Sequence, residues 1–415
     1  MLVHLLHIII VMKQFEVPSF YRSSFISNIK EKRKQADKLK KDFTPTLLDF
    51  GSLKIYLARH FGFCYGVENA IEIAFRVIEE NKGKRIYLLS EMIHNPQVNA
   101  DLTALGVQFL QDPYGNQLIP FNNITSDDIV LIPAFGTTLE IEKILLDKGI
   151  TIEKYNTTCP FVEKVWNRGE QIAKKGYSIV IHGKPTHEET RATFSHASYN
   201  TPSVVVNDMQ EAILLGKYMM GEESQATFSE KFKGRYSPDF NVELHLQKIG
   251  VINQTTQLAT DTQAISDYLK QVLVKKYQLD NNNIANHFAD TRDTLCYATN
   301  DNQSAVIGML ETLADIAIVV GGYNSSNTSH LVELCEQKLP TYFIDSADKL
   351  VSNTEIIHCN WQTKQVSTIQ HYLPSTPSTS ILITSGASCP DAVVESVIKR
   401  LLDLYEIPAE MLEKG

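Results

Sequence analysis

The 415-residue sequence is poor in cysteine, with six thiols spread between residues 64 and 389. So few cysteines in so long a chain exclude a disulfide framework of the kind that holds small secreted proteins together. The chain also shows no export signal, so we expect reduced thiols and a cytoplasmic protein. The cysteines are therefore available as metal ligands, nucleophiles or core residues.

The sequence also lacks a long hydrophobic run. Its apolar opening, residues 1–12, is shorter than the roughly 20 residues that a membrane-spanning helix needs. The opening has neither the charged first region nor the small-residue cleavage site of a signal peptide. We predict that translation starts at Met12, that residues 1–11 are not part of the protein, and that no membrane is involved.

Positive charge is in deficit, because the formal net charge is −9 at pH 7. This balance argues against nucleic acid as a partner, and it means that local groups must hold any anionic ligand. One basic stretch, KEKRKQADKLKK at residues 30–41, departs from the general balance. We interpret it as a solvated helical arm in preference to a nucleic-acid patch.

What the sequence does contain is a repeated pattern: a short β-branched run, a small polar or glycine-rich turn, and an amphipathic helical stretch. Nine such junctions occur, from LKIYLARHFGFCYGVENAIEIAF to SILITSGASCPDAVVESVIKRLL. Alternating units of this kind predict an α/β fold in which helices cover parallel sheets. The length allows two or three domains, so we predict three similar α/β domains with small parallel sheets facing one centre.

The junctions also set limits for the domains. These are an arm at 1–51, domain 1 at 52–158, domain 2 at 159–292, domain 3 at 293–402 and a tail at 403–415. The first strand lies within 52–64, and the sequence does not decide whether it packs with domain 1 or with domain 3. Residues 208–248 interrupt the rhythm, and we interpret them as a helical insertion in domain 2.

Three cysteines occupy equivalent places, because Cys64, Cys159 and Cys296 each lie at a strand-to-helix turn. A single cysteine in such a turn is more often a buried core residue, but the repeated context favours a common function for all three. Helix N-termini stabilise thiolates, and three converging thiolates suit an iron–sulfur cluster or a zinc ion. The spacing of the cysteines along the chain does not decide between the cluster and the zinc ion. The other cysteines, at 335, 359 and 389, lie in a helix, after a weak strand and before a helix start.

The remaining junctions carry polar side chains. They are His94, His187, Glu188, Glu189, Thr255, Thr256, Asn324, Ser325, Ser326, Asn327 and Ser388. Taken singly, each is better explained as a helix cap or a structural histidine. Taken together, they predict an anion site made of helix N-termini and directed donors. No Walker loop, EF-hand or HExxH motif occurs, so a diphosphate held without Mg²⁺ is a plausible ligand.

Eight motifs occur in a fixed order over residues 52–402: FGFCYGVENAI, EMIHNPQVN, TTCPFVEKVW, HGKPTHEET, NQTT, TLCYAT, VVGGYNSSNTSHL and TSGASCPD. Together they resemble the LytB-type family of 4-hydroxy-3-methylbut-2-enyl diphosphate reductases. The N-terminal arm and the insertion are similar to the longer, plant and cyanobacterial branch of that family.

The resemblance implies a trefoil of three α/β domains around a central [4Fe–4S] cluster held by Cys64, Cys159 and Cys296. The fourth iron would lack a protein ligand and would act as a Lewis acid on the substrate's allylic hydroxyl. The implied reaction is a two-electron reductive dehydroxylation that yields isopentenyl and dimethylallyl diphosphate, the last step of the methylerythritol phosphate route to isoprenoids. A ferredoxin or flavodoxin would supply the electrons.

The same resemblance implies residue roles. Glu189 matches the family's proton-delivering glutamate, and Thr255 matches the threonine that binds the substrate hydroxyl and helps to relay the proton. The implied diphosphate ligands are His94, His187, Ser325, Ser326, Asn327 and Ser388. Two positions depart from the short bacterial pattern: Phe135 replaces a histidine, and Cys389 replaces a threonine or alanine. We expect no polar role for Phe135, and we interpret Cys389 as a cap variant and not as a fourth cluster ligand.

Two other functions remain open from the residues alone. A zinc-dependent hydrolase of a phosphorylated small molecule would use the same three cysteines as metal ligands. A non-catalytic phosphate-binding module would keep the serine and asparagine turns, but the presence of Glu189 and Thr255 counts against it. Anaerobically purified protein should be brown if it carries an iron–sulfur cluster and colourless if it carries zinc.

Overall fold

The computed structural model of the chain describes residues 15–289, 294–374 and 378–414. The predicted start at Met12 lies outside these residues, as does the predicted limit between domains 2 and 3 at residues 292 and 293. No helix in the described part is both long and apolar enough to cross a membrane.

Strands and helices alternate along most of the described chain. The strands are β1 Thr46–Asp49, β2 Leu53–Leu57, β3 Ile86–Leu88, β4 Gln108–Phe109, β5 Ile129–Leu131, β6 Ser178–His182, β7 Ser203–Val206, β8 Ile249–Asn253, β9 Ile316–Val320, β10 Thr341–Ile344, β11 Glu355–Cys359, β12 Val366–Gln370 and β13 Thr379–Ser385. The helices are α1 Ser24–Ala36, α2 Tyr65–Glu80, α3 Pro96–Ala104, α4 Leu139–Asp147, α5 Pro160–Ala173, α6 Glu188–Asn200, α7 Met209–Met220, α8 Gln225–Lys231, α9 Val242–His245, α10 Ala259–Tyr277, α11 Tyr297–Met309, α12 Ser326–Glu336 and α13 Asp391–Leu404.

These strands assemble into three sheets and one hairpin. The first sheet has the order β4-β3-β5, the second β7-β6-β8, and the third β1-β2-β13-β9-β10. Neighbouring strands in the sheets are parallel, except that β1 is antiparallel to β2, and β11 and β12 form the antiparallel hairpin. Strands β6, β8 and β9 are buried at every residue, as expected of parallel strands covered on both faces.

Strand β2 lies in the third sheet, which answers where the first strand of the repeated pattern belongs. Its alternate residues Leu53, Ile55 and Leu57 are fully buried. The strand pairs in parallel with β13, with Leu53 opposite Thr379. Strand β1 then covers the other side of β2 as an antiparallel edge strand.

Seven of the nine predicted junctions begin at a regular strand. The two that precede Cys159 and Cys296 begin at single bridges, where Asn156 pairs with Ile132 and Phe288 pairs with Ile249. The sequence EKYNTT before Cys159 lacks the run of β-branched and aromatic residues that sustains a longer ladder. The bridges nevertheless place these two turns at the edges of the first and second sheets.

The N-terminal arm is anchored and is not merely solvated. Helix α1 is capped by Ser23, and its residue Ile26 is fully buried. The helix packs against α13. Before it, Phe15, Val17 and Tyr21 lie in the hydrophobic core of the first sheet. The basic stretch is therefore held in a fixed position on the protein surface.

The predicted insertion at 208–248 begins with a regular element. Helix α7 packs against α10 and lies in the connection between β7 and β8. After it, the ring of Phe228 stacks on Phe232 and on Phe240, at centroid distances of 5.0 and 5.2 Å. These rings join the core of the second sheet, so they hold α8 and the following loop in place.

Candidate active site

Three cysteines begin three helices, because Cys64, Cys159 and Cys296 are the N-cap residues of α2, α5 and α11. The N–H of each cysteine donates a hydrogen bond of 2.9–3.2 Å to a carbonyl oxygen at the end of a strand or sheet. The pairs are Cys64 with Ala387, Cys159 with Ala134, and Cys296 with Thr255. Since these carbonyls follow strands of the third, first and second sheets, each sheet holds one cysteine in position.

The three thiols meet in one inner cavity of about 80 Å³. Its lining includes all eleven site residues that the sequence predicts, namely Cys64, His94, Cys159, His187, Glu189, Thr255, Cys296, Ser325, Ser326, Asn327 and Ser388. Cys389 is absent from this lining and is fully buried in the core of the third sheet. The N-cap residue of α13 is Pro390, so Cys389 acts as a core residue and not as a cap variant.

Burial controls the acid–base chemistry of the three thiols. It raises the pKa of Cys159 to about 12 and also raises the pKa values of Cys64 and Cys296. The backbone N–H groups at the helix starts lower these pKa values, but burial outweighs them. The thiols therefore stay protonated unless a cationic group binds them, since metal binding takes cysteine as thiolate.

Gly66, in the first turn of α2, makes room for the thiol of Cys159. A Cβ atom at this position would lie 2.4 Å from the Sγ atom of Cys159. No side chain fits within that distance, so glycine permits the close approach. The thiol of Cys159, which the first sheet holds in position, is thus packed directly against α2, the helix that begins after Cys64.

The three cysteines are the candidate ligands for the two metal groups that the sequence left open, an iron–sulfur cluster and a zinc ion. Within the described ranges, no three His, Cys, Asp or Glu side chains are gathered as the ligand set of a single metal ion. A zinc ion would draw its thiolates to about 2.3 Å from one centre. A cluster takes each cysteine on a different iron and so spaces the sulfurs more widely. Both groups take thiolate ligands, so the three cysteines are suited to hold either one.

Glu189 and Thr255 form a buried pair in the same cavity. The N–H of Thr255 donates to Oε1 of Glu189 at 2.5 Å, and its Oγ1 donates to Oε2 at 2.9 Å. Glu189 is 1% exposed, and burial raises its pKa to about 7 despite these two hydrogen bonds. A carboxyl group with this pKa can hold a proton and release it near neutral pH.

His94 and His187 line the same cavity with their Nε2 atoms 3.3 Å apart, and we call this pair the histidine wall. The Nδ1 atom of His187 accepts the N–H of Glu189 at 3.1 Å. Burial lowers the pKa of His187 well below its usual value, so the ring is neutral and carries its proton on Nε2. His187 therefore presents an N–H donor at the place where it faces His94.

Two carboxyl groups flank His94. The Oε2 atom of Glu91 lies 3.1 Å from Nδ1 of His94, and the Oε2 atom of Glu188 lies 3.5 Å from Nε2. Ser90 donates a short hydrogen bond to Glu188, and burial raises the pKa of Glu188 to about 7. The sequence marked Glu188 only as part of a polar turn, whereas the structure makes it a partner of His94.

Phe135 holds the two histidine rings in place. Its ring stacks on His94 at a centroid distance of 4.3 Å and meets His187 edge-on at 5.4 Å. The ring supplies no hydrogen bond, and its contacts limit the orientations that both imidazoles can adopt.

The turn before α12 faces the cavity with several donors. Ser325 is the N-cap residue of α12, and Ser326 is the first residue of the helix. The Oδ1 atom of Asn327 accepts an N–H from the loop after β13, and its buried Nδ2 has no partner in the described part of the chain. Ser388 donates from Oγ to the carbonyl oxygen of His94 at 3.2 Å. An unpaired donor at a helix N-terminus is suited to an anionic ligand.

An outer cavity of about 370 Å³ adjoins the inner one and shares His94, His187 and Ser326 with it. Its lining also contains Lys184 and Lys364, which the sequence did not indicate as site residues. The positive charge of these lysines lies beside the donors of the inner cavity.

Lys364 comes from the turn between β11 and β12 and reaches the α12 region. Its Nζ donates to the carbonyl oxygen of Tyr323 at 2.8 Å and to Oγ of Ser329 at 2.9 Å. Burial, and then the charge of Lys184, lower the pKa of Lys364 to about 8. No motif or spacing relates this turn to the α12 turn, and only the folded hairpin brings them together.

Comparison with known proteins establishes the family. The family model described as LytB protein matches residues 55–402. The chain belongs to the LytB family. The 4-hydroxy-3-methylbut-2-enyl diphosphate reductase of Picosynechococcus sp. strain PCC 7002 is 38% identical over 95% of this chain and 92% of its own length. The reductase of the same name from Cyanothece sp. strain PCC 7425 is 36% identical over 92% of this LytB chain and 89% of its own.

Solved structures with a similar fold are also found. A structure of (E)-4-hydroxy-3-methyl-but-2-enyl diphosphate reductase, described as the terminal enzyme of the non-mevalonate pathway, matches with a TM-score of 0.50 at 25% identity. The match covers 84% of this LytB chain and 99% of that one. The corresponding reductase from Plasmodium falciparum matches with a TM-score of 0.60 at 23% identity, over 84% of this chain and 87% of that one. The predicted fold class, three small-sheet α/β units in a trefoil, is confirmed.

Proposed function

We propose that this LytB protein reduces 4-hydroxy-3-methylbut-2-enyl diphosphate to isopentenyl diphosphate and dimethylallyl diphosphate. The reaction takes up two electrons and two protons, breaks the allylic C–O bond and releases the hydroxyl oxygen as water. The observation that supports it best is that three cysteines, a buried carboxyl group and several anion-binding donors line one cavity. We further propose a cytoplasmic location, since six cysteines without a disulfide among them suit a reducing compartment.

Cys64, Cys159 and Cys296 are the proposed holders of a [4Fe–4S] cluster. When bound, the cluster would supply single electrons and one iron without a protein ligand as a Lewis acid. The chain itself contributes fixed thiol directions, through the backbone hydrogen bonds at each helix start, and the space beside Gly66. A ferredoxin or flavodoxin is the proposed source of the electrons.

Glu189 is the proposed proton donor and Thr255 its relay. Oε2 of Glu189 lies 2.9 Å from Oγ1 of Thr255. When Oε2 carries the proton, it would donate to Oγ1 while Oγ1 passes its own proton to the leaving hydroxyl. Because the pair is buried, water does not compete for this proton.

The diphosphate is proposed to lie between the histidine wall and the start of α12. There it would meet the Nε2–H of His187 and the unpaired Nδ2 of Asn327. The hydroxyl groups of Ser325, Ser326 and Ser388 would complete the donor set. Backbone N–H groups at the helix start add to the attraction for the anion.

The acid role predicts a pH dependence. The protonated form of Glu189 is present below its pKa of about 7 and is lost as the pH rises through that value. With a chemical reductant, kcat/KM should therefore fall by about tenfold per pH unit above about pH 7. A pH profile measured from about pH 6.5 to 9 checks this, and a flat profile would contradict it.

The position of Lys364 predicts an effect on substrate binding. Lys364→Met should raise KM for the diphosphate by about tenfold, the loss expected for one charge-assisted interaction, and leave kcat within about twofold. Lys338→Met is the matched control, because Lys338 pairs with Glu311 on the surface and should change neither constant. An unchanged KM in Lys364→Met would show that Lys364 does not contribute to binding of the diphosphate.

Turnover is the direct test of the proposed function. Protein reconstituted anaerobically with iron and sulfide should convert the hydroxylated diphosphate to the two isoprenoid diphosphates when dithionite and a viologen dye supply electrons. Reconstituted protein that releases inorganic phosphate and forms neither product would favour a hydrolase instead.

A further inference from the structure

An aromatic residue follows each cysteine within two positions at the helix starts, and contacts link the three residues. They are Tyr65, Phe161 and Tyr297, and we call them the aromatic cap. The rings of Phe161 and Tyr297 are 5.1 Å apart, and the N–H of Tyr65 donates to the hydroxyl of Tyr297 at 2.9 Å. None of the three lines the inner cavity, and Tyr297 is 38% exposed. The aromatic cap therefore adjoins the three cysteines along the chain and reaches the surface at Tyr297.

The outer cavity shares no lining residue with the groove beside the N-terminal arm and contains no member of the aromatic cap. The outer cavity, with Lys184 and Lys364, adjoins the histidine wall, and its lining contains none of the three cysteines. The hydroxyl of Tyr297 accepts the N–H of Tyr65, so the residues that follow Cys296 and Cys64 meet at the aromatic cap. An electron carrier at the aromatic cap would approach the thiols without obstructing the diphosphate.

The N-terminal arm brings positive charge to the edge of the aromatic cap. Phe15 contacts Tyr65 at a centroid distance of 4.8 Å, and Lys40 lies 3.9 Å from Asp301, one helical turn after Tyr297. A groove of about 300 Å³ runs beside Phe63, the residue before Cys64. The cations of its lining are Arg22, Lys30 and Lys34.

The positive charge of the arm exceeds the acidic charge around it. Residues 22–41 contain eight lysines and arginines but only two acidic residues, in a chain whose net charge is −9. The nearby acidic groups include Asp391, paired with Lys30, Asp42, paired with Arg33, Asp301, paired with Lys40, Glu31, which is 3.7 Å from Lys34, and Glu68, whose pKa is raised by burial. Lys34 and Lys40 have side-chain exposures of 67% and 51%, so both can meet a partner.

We infer that the aromatic cap and the basic arm form the docking surface for an acidic one-electron carrier protein. This inference rests on the proposed function, since it concerns the supply of electrons to the three-cysteine site. An apolar centre with a charged rim is the usual composition of such interfaces, and opposite charge speeds the encounter. Each docked carrier would give up one electron, so two reduced carriers are oxidised for each C–O bond broken.

Direct binding tests this inference without relying on turnover. The probe is an acidic [2Fe–2S] ferredoxin, titrated into the reconstituted protein in a calorimeter at low and at physiological salt. The double variant Lys34→Glu and Lys40→Glu should bind it at least tenfold more weakly than the unchanged protein. It should also show a smaller loss of affinity with salt, because salt screens the attraction that the variant lacks.

Lys32→Glu is the matched control. Lys32 lies on the same helix but lines a different groove, beside Glu395 and Lys399. This variant should bind the ferredoxin within about twofold of the unchanged protein. Equal weakening in Lys32→Glu would show that total charge alone is responsible, and unchanged binding in the double variant would place the carrier elsewhere; either result overturns the inference.

Turnover separates this inference from the proposed function. The double variant should keep its cluster content and its turnover with dithionite, and lose turnover that depends on ferredoxin. If the unchanged protein shows no dithionite-driven turnover, the proposed function fails, while the ferredoxin titration still decides the docking surface.

Discussion

Glu189→Gln should lower kcat by about 10²- to 10⁴-fold while leaving the iron content and substrate affinity near their original values. Glutamine has the shape of glutamate, and its amide can keep both hydrogen bonds with Thr255: oxygen accepting the N–H and nitrogen donating to Oγ1. What it cannot do is hold a proton and release it. The effect should therefore appear in turnover with a chemical reductant and not in binding.

Glu188→Gln is the matched control for this result. Burial raises the pKa of Glu188 to about 7 as well, but its carboxyl lies beside His94 in the outer cavity and outside the lining of the inner one. We expect a several-fold higher KM with kcat within about threefold, and a pH profile that keeps its alkaline decline. Near-normal kcat in Glu189→Gln, or loss of the decline only in Glu188→Gln, would contradict the assignment of the acid.

Cys296→Ser should bind an intact cluster poorly or not at all. Serine is close to cysteine in size, so the helix start of α11 should form, but its alkoxide is a much weaker ligand for iron than a thiolate. The loss should be visible as a lower iron and sulfide content and a weaker visible absorption after anaerobic reconstitution. Turnover should fall to background in the same preparation.

Cys389→Ala is the control for the loss of a thiol near the site. Cys389 is fully buried in the core of the third sheet and does not line the inner cavity. The variant should therefore keep the full iron content and most of its turnover. Full iron content and an unchanged spectrum in Cys296→Ser would contradict its assignment as a ligand, and iron loss in Cys389→Ala would add a ligand that the structure does not place there.

The convergence of the site could be predicted from sequence because every member lies in a strand-to-helix turn. Parallel strands put all such turns at one edge of a sheet, so Glu189 after β6 and Thr255 after β8 needed no contact information to be placed on the same side. The roles proposed for them came from the motifs around them, which carry the family resemblance. Buried runs such as Ile316–Val320 likewise indicated parallel strands directly.

Pairing and long-range contacts could not be predicted in the same way. The alternation in Leu53–Leu57 indicates a strand, but it does not say which strand lies beside it, and β2 joined the third sheet. Lys364 reached the site only through the hairpin that carries it. The basic arm showed its charge in the sequence, while its anchoring by Ile26 and its position beside Tyr65 came from packing.

Analysis of the bound metal tests the central claim most directly. Anaerobically reconstituted protein should contain about four iron and four sulfide per chain, and its Mössbauer spectrum should show one iron distinct from the other three, since three thiolates leave one iron without a cysteine. One zinc per chain with no sulfide would contradict the account. The same four-iron spectrum in the triple variant Cys64→Ser, Cys159→Ser and Cys296→Ser would also contradict the account.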